Sequence, residues 1–61
     1  MDEQSDQPSH ILIIDDDLDQ LRLLVAALRS TSYRVSVALN GDQGYARAMV
    51  LQPDLILLDV C

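Results

Sequence analysis

The chain has 61 residues and a net charge of −6, from ten acidic residues against four arginines and no lysine. Such a surface repels nucleic acid and anionic lipid, and the longest aliphatic runs, Ile11 to Ile14 and Leu55 to Leu58, are far too short to span a bilayer. One cysteine, Cys61, excludes an intrachain disulfide, and with the single histidine, His10, it cannot complete a four-ligand zinc site.

Met1 to Ser9 is polar and acidic, with no apolar core, so it is not a signal peptide. It predicts a disordered acidic tail over residues 1–9, ahead of a soluble, cytoplasmic domain. His10 to Ile14 is a continuous apolar run, the pattern of a strand buried on both faces of a parallel sheet. His10 itself is expected to be an ordinary strand-edge residue. Asp15, Asp16 and Asp17 end the run.

From about Leu18 to Ser30 the period changes. Leu21, Leu24, Val25 and Leu28 fall at i, i+3, i+4 and i+7, one apolar stripe on a helix. Asp17 can cap its start, with Gln20 three residues on. Arg34 to Ala38 alternates polar and apolar, which predicts a half-exposed strand at a sheet edge with Val35 and Val37 on one face.

Asn40-Gly41 signals a turn. Asp42 to about Leu51 predicts a second helix, weakened by Gly44, with Tyr45, Ala46, Met49 and Val50 facing inward. Gln52-Pro53-Asp54 stops it, because the residue before a proline is driven from helical conformation. Leu55 to Leu58 predicts a third strand, buried like the first. Tyr33 and Tyr45 are expected to be packing residues, and the arginines a solvated face.

The order β-α-β-α-β predicts a parallel sheet with right-handed crossovers. With the second strand at an edge, the spatial order becomes 2-1-3 and the helices fall on opposite faces. Strands 1 and 3 are then neighbours at a topological switch point, where open α/β sheets bind ligands. Asp15 and Asp16 end strand 1, and Asp59 ends strand 3. Three carboxylates converging in one pocket repel one another unless a cation intervenes, and a hard divalent cation takes such oxygen ligands.

"ILIIDDD", "NGDQGYARA" and "QPDLILLDV", in this order and spacing, resemble the first half of a response-regulator receiver domain of two-component signalling, the CheY-like family. The resemblance covers residues 10–61. It implies a flavodoxin-like, doubly wound five-stranded α/β fold, of which this chain would supply the N-terminal part, ending just after strand 3. It also implies a phosphoryl-accepting switch rather than an enzyme. Asp59 would accept a phosphoryl group from a sensor histidine kinase or phosphotransfer protein. Mg2+ would be held by Asp16 directly, by Asp15 through water, by Asp59, and by the backbone carbonyl of Cys61.

The hydroxyl residue and the lysine that end the family's fourth and fifth strands have no counterpart in these 61 residues. A truncated receiver with impaired phosphorylation is therefore expected, self-associating through the open edge of strand 3. Two alternatives come from other classes. A haloacid-dehalogenase-type phosphotransferase or phosphatase would use Asp15 as nucleophile within Asp15-Asp16-Asp17. A simple acidic cation-binding module would use Asp15, Asp17 and Asp19. As an EF-hand loop it lacks the required glycine and glutamate, since Gln20 and Ala26 stand there.

Overall fold

A computed structural model describes residues 8–58. In chain order its elements are β1 (His10–Ile14), α1 (Leu18–Arg29), β2 (Arg34–Ala38), α2 (Gly41–Leu51) and β3 (Leu55–Leu58). β1 is central, and pairs in parallel with β2 on one side and β3 on the other. The predicted order 2-1-3 is the one observed.

All five residues of β1 are buried. Successive side chains of a strand point to opposite faces, so its apolar run fills two half-cores. Ile11 and Ile13 pack with Leu21, Leu24 and Leu28 of α1 and with Val35 and Val37 of β2. Leu12 and Ile14 pack with Ala38 and with Ala48 of α2. The helices therefore lie on opposite faces of the sheet.

α1 begins where Asp17 caps it. The Asp17 carboxylate accepts from the backbone N–H groups of Asp19 at 3.0 Å and Gln20 at 3.3 Å. A cap of this kind contributes about 1 kcal/mol by satisfying donors that have no partner within the helix. Ser30 is the C-cap. The Asn40-Gly41 pair, expected to form a turn, instead opens α2. Asn40 is its N-cap, and its Oδ1 accepts from the Gln43 N–H at 2.8 Å. Gln52 ends α2 in the left-handed region (φ 50°, ψ 60°), and Pro53 cannot continue the helix.

The inward face of α2 differs from the expected one. Tyr45, Ala46, Met49 and Val50 are exposed, and Gly44 and Ala48 face the sheet instead. The cause is close approach. A Cβ placed on Gly44 would lie 2.9 Å from Cγ1 of Ile14 and closer still to its Cδ1. Large side chains at this contact would hold the helix away from β1, so the helix turns its small residues inward. Gly44 is thus a requirement of the packing, although it weakens the helix taken alone. Gly44→Ala is expected to destabilise the domain by about 1–2 kcal/mol, the overpacking cost exceeding the gain in helix propensity. Combining it with Ile14→Val, which removes the nearest atom, should recover part of that loss in a urea-unfolding double-mutant cycle.

β3 also departs from expectation. Its four residues are 38–60% exposed rather than buried. Both helices pack over β1 and β2, so β3's apolar side chains are only partly covered among the described residues. Tyr33 and Tyr45 are exposed as well, and neither is a packing residue here. The arginines are all exposed, as expected.

Candidate functional site

The C-terminal ends of β1 and β3 point the same way. Ile14 is the register partner of Leu58. Asp15 follows Ile14 directly, and its N–H donates to the carbonyl of Ala38 at 3.1 Å. The sheet pairing of β1 with β2 therefore runs one residue past the strand, and this extension carries Asp15 into the interior. Asp15 is only 2% exposed.

The two oxygens of Asp15 differ. Oδ1 accepts from the backbone N–H of Asp17 at 2.9 Å, a local turn that fixes the side chain. Oδ2 is buried and has no hydrogen-bond partner among the described residues. Leaving a buried acceptor unmatched costs about 1–3 kcal/mol, so native chains rarely do so without a ligand, ion or water to serve. Its donor chemistry, a hard anionic oxygen, suits a divalent cation such as Mg2+.

Asp16, the next residue, is exposed. Asp17 is engaged as the cap of α1, and Asp19 lies in that helix's first turn. These two acids belong to the helix start rather than to a cation loop. Of the four residues expected to form the site, Asp15 and Asp16 stand together at the end of β1. Asp59 and Cys61 lie outside the described residues. Among the described residues no group of three or more histidine, cysteine or acidic side chains is placed to hold a metal.

The opposite end of the sheet holds a network that sequence reasoning missed. His10 is buried, not an ordinary edge residue. Its Nε2 lies 2.7 Å from Ser36 Oγ, and the Arg34 guanidinium reaches its Nδ1 at 3.4 Å. Arg34 can only donate, so Nδ1 accepts and Nε2 carries the hydrogen toward Ser36. The His10 N–H donates to Asp54 Oδ2 at 2.7 Å, and the Asp54 N–H donates back to the His10 carbonyl at 2.8 Å. This network ties the starts of all three strands together, and so fixes from below the register that carries the site above. A polar residue opening an apolar strand was its only sequence signal.

Three parallel strands in the order 2-1-3, with a buried acid ending the central one, define a partial doubly wound domain with a candidate site at the switch point. The profile of the family described as "Response regulator receiver domain" matches residues 11–61, and the chain belongs to that family. It is 38% identical over 50 residues to the transcriptional regulatory protein PrrA of Mycobacterium leprae, covering 82% of this chain and 22% of that protein. It is 48% identical over 50 residues to the DNA-binding dual master transcriptional regulator RpaA of Synechocystis, covering 82% and 21%. It is 44% identical over 52 residues to the response regulator PleD of Caulobacter vibrioides, covering 85% and 12%. The chain thus spans about a fifth or less of the length of these relatives. No solved structure matches it significantly. Among the described residues no helix is long and apolar enough to cross a membrane.

Proposed function

We propose that this chain carries the phosphoryl-acceptor site of a response regulator in a two-component relay, with Asp59 as the acceptor. The observation that carries this reading is the buried Asp15 carboxylate with its unmatched Oδ2, one residue past the Ile14–Leu58 register pair. Leu58 immediately precedes Asp59 in the sequence. Neighbouring parallel strands lie about 4.8 Å apart, so acids that follow register partners are within reach of one shared cation.

In this reading Asp15, Asp16, Asp59 and the backbone carbonyl of Cys61 would hold Mg2+. When bound, Mg2+ offsets the repulsion between an attacking carboxylate and an incoming phosphoryl group. An oxygen of Asp59 forms the new bond to phosphorus. The bond from phosphorus to a histidine nitrogen of the donor breaks, and its electron pair leaves with that nitrogen. The product is an acyl phosphate on Asp59, and its added charge and acceptor oxygens bias a two-state surface. The donor is a sensor histidine kinase or a phosphotransfer protein, and the compartment is the cytoplasm. The role is that of a signalling switch, with no turnover of a separate substrate.

The burial of Asp15 weighs against its being the nucleophile of a phosphatase. A side chain 2% exposed, with one oxygen fixed by the Asp17 N–H, suits holding a ligand rather than attacking a free phosphoester. The exposed leucines and isoleucine of β3, on an edge strand, support a further contact there with another strand or a second copy.

The test is phosphoryl transfer from a low-molecular-weight acyl phosphate or a phosphorylated kinase, in Mg2+. Asp59→Asn is expected to abolish incorporation into the protein. Incorporation at the wild-type level in that variant would sink the assignment of Asp59.

A further inference from the structure

Asp17 joins α1 to the buried acid of the candidate site. Its side chain accepts from the backbone N–H groups of Asp19 at 3.0 Å and Gln20 at 3.3 Å. Its carbonyl accepts from the Leu21 N–H at 2.9 Å. Its own N–H donates to Asp15 Oδ1 at 2.9 Å. Leu21 is 4% exposed and packs with Ile11 and Ile13, so the first turn of α1 is anchored in the core.

These contacts act on one short piece of backbone. A cap residue stays outside helical conformation while its side chain serves the first turn. Asp17 does so, with an extended backbone of φ −97° and ψ 108°. The bonds that hold its side chain and carbonyl against α1 therefore also set the direction of its N–H. That N–H restrains the Asp15 carboxylate through Oδ1. It thereby restrains Oδ2, which is buried and has no partner among the described residues. Partners of this kind behind a metal ligand orient it, and losing one costs about 10–100-fold in affinity.

We infer that Asp17 is a positioning residue for the cation site: its cap on α1 aims the N–H that holds Asp15, while its own carboxylate stays on the helix. The inference rests on the reading of Asp15 as a ligand of Mg2+. The cap needs an acceptor oxygen and no charge, so asparagine serves at this position as aspartate does. Coupling between two sites is reciprocal, so Mg2+ at Asp15 steadies the first turn of α1 in return.

The test is a titration of the whole chain with Mg2+ alone, followed by amide resonances. Asp17→Ala is expected to raise Kd about tenfold, and Asp17→Asn to bind as wild type does. Equal weakening in both variants would mean that the charge of Asp17 acts on the cation, and would overturn the inference. Asn40→Ala is the control for a lost cap, because Asn40 caps α2 through the Gln43 N–H. It is expected to lower the melting temperature as Asp17→Ala does and to leave Mg2+ affinity unchanged. The same loss of affinity in both alanine variants would reduce Asp17 to a general stabiliser and overturn the inference. Hydrogen exchange on the wild-type chain needs no variant. Mg2+ is expected to slow exchange at the Asp19 and Gln20 amides, and unchanged exchange under saturating Mg2+ would overturn the coupling. Asp15→Asn separates the inference from the reading beneath it. Wild-type Mg2+ affinity in that variant would overturn the reading of Asp15. Lost affinity there, with wild-type affinity in Asp17→Ala, would overturn the role of Asp17 alone.

Discussion

Asp15→Asn is expected to stabilise the metal-free protein by about 1 kcal/mol and to remove its stabilisation by Mg2+. The first effect follows from Oδ2, which is buried with no partner among the described residues. Asparagine keeps the Oδ1 that accepts from the Asp17 N–H at 2.9 Å. It places a neutral amide where a carboxylate oxygen stood, and a neutral group costs less to bury. A gain of that size raises the melting temperature by roughly 4–8 °C in a domain this small. The second effect follows by mass action. A cation held by the wild-type site at a hundred times its dissociation constant adds about 2.7 kcal/mol, and a site without the Asp15 carboxylate gains far less. Thermal melts of both proteins, with and without Mg2+, measure the two effects together. An equal response of both proteins to Mg2+ would remove Asp15 from the metal site. A less stable metal-free variant would mean that the buried oxygen is satisfied by a group outside residues 8–58.

Leu12→Ala is expected to cost about 3–4 kcal/mol, most of the roughly 5 kcal/mol that holds a marginal domain folded. Leu12 is fully buried, at 0% exposure. It stands in the middle of the central strand, with Ser36 of β2 and Ile56 of β3 as register partners. Its side chain packs with Ala38, Ile14 and Ala48. Two of these neighbours are alanines, so little can collapse into the space a truncation leaves. Leu23 supplies the control. It lies on α1 but is 72% exposed, and Leu23→Ala should stay within about 0.5 kcal/mol of wild type. Urea unfolding distinguishes the two. Similar costs for both substitutions would contradict a core centred on β1.

The parts of this fold that could be read from sequence are those set by local period. An unbroken apolar run marks β1 as covered on both faces, and the i, i+3, i+4, i+7 stripe marks the buried side of α1. The two failures have a common physical origin in context. In α2 the large residues Tyr45, Met49 and Val50 suggest an apolar face, but the distance between helix and strand is set by Gly44 against Ile14. Close approach selects small residues, which hydrophobicity alone does not rank first. β3 has the composition of a covered strand, and whether it is covered depends on what packs over it rather than on its own residues. The acid pair Asp15 and Asp16 at the end of β1 was legible as a candidate site. Which member is buried was not, because the Asp15 N–H bond to Ala38 depends on the β1–β2 register. The same register sets the His10–Ser36 contact at the other end of the sheet.

The resemblance to receiver domains adds what residue patterns could not, namely the roles it implies for Asp59 and Cys61, which lie outside the described residues. It also supplies a chemical distinction between the acids of the site. Asp15 is fixed, buried and half satisfied, which suits a ligand-holding group. Asp59 is given the role of nucleophile, and only a covalent mark can show which carboxylate attacks.

That mark is the most direct test. The protein would be incubated with Mg2+ and an acyl phosphate, the acyl-phosphate product reduced with borohydride, and the modified residue located by peptide mass spectrometry. The account predicts reduction at Asp59 alone, with none when Mg2+ is removed. Modification at Asp15, or at Asp59 to the same extent without a divalent cation, would contradict it.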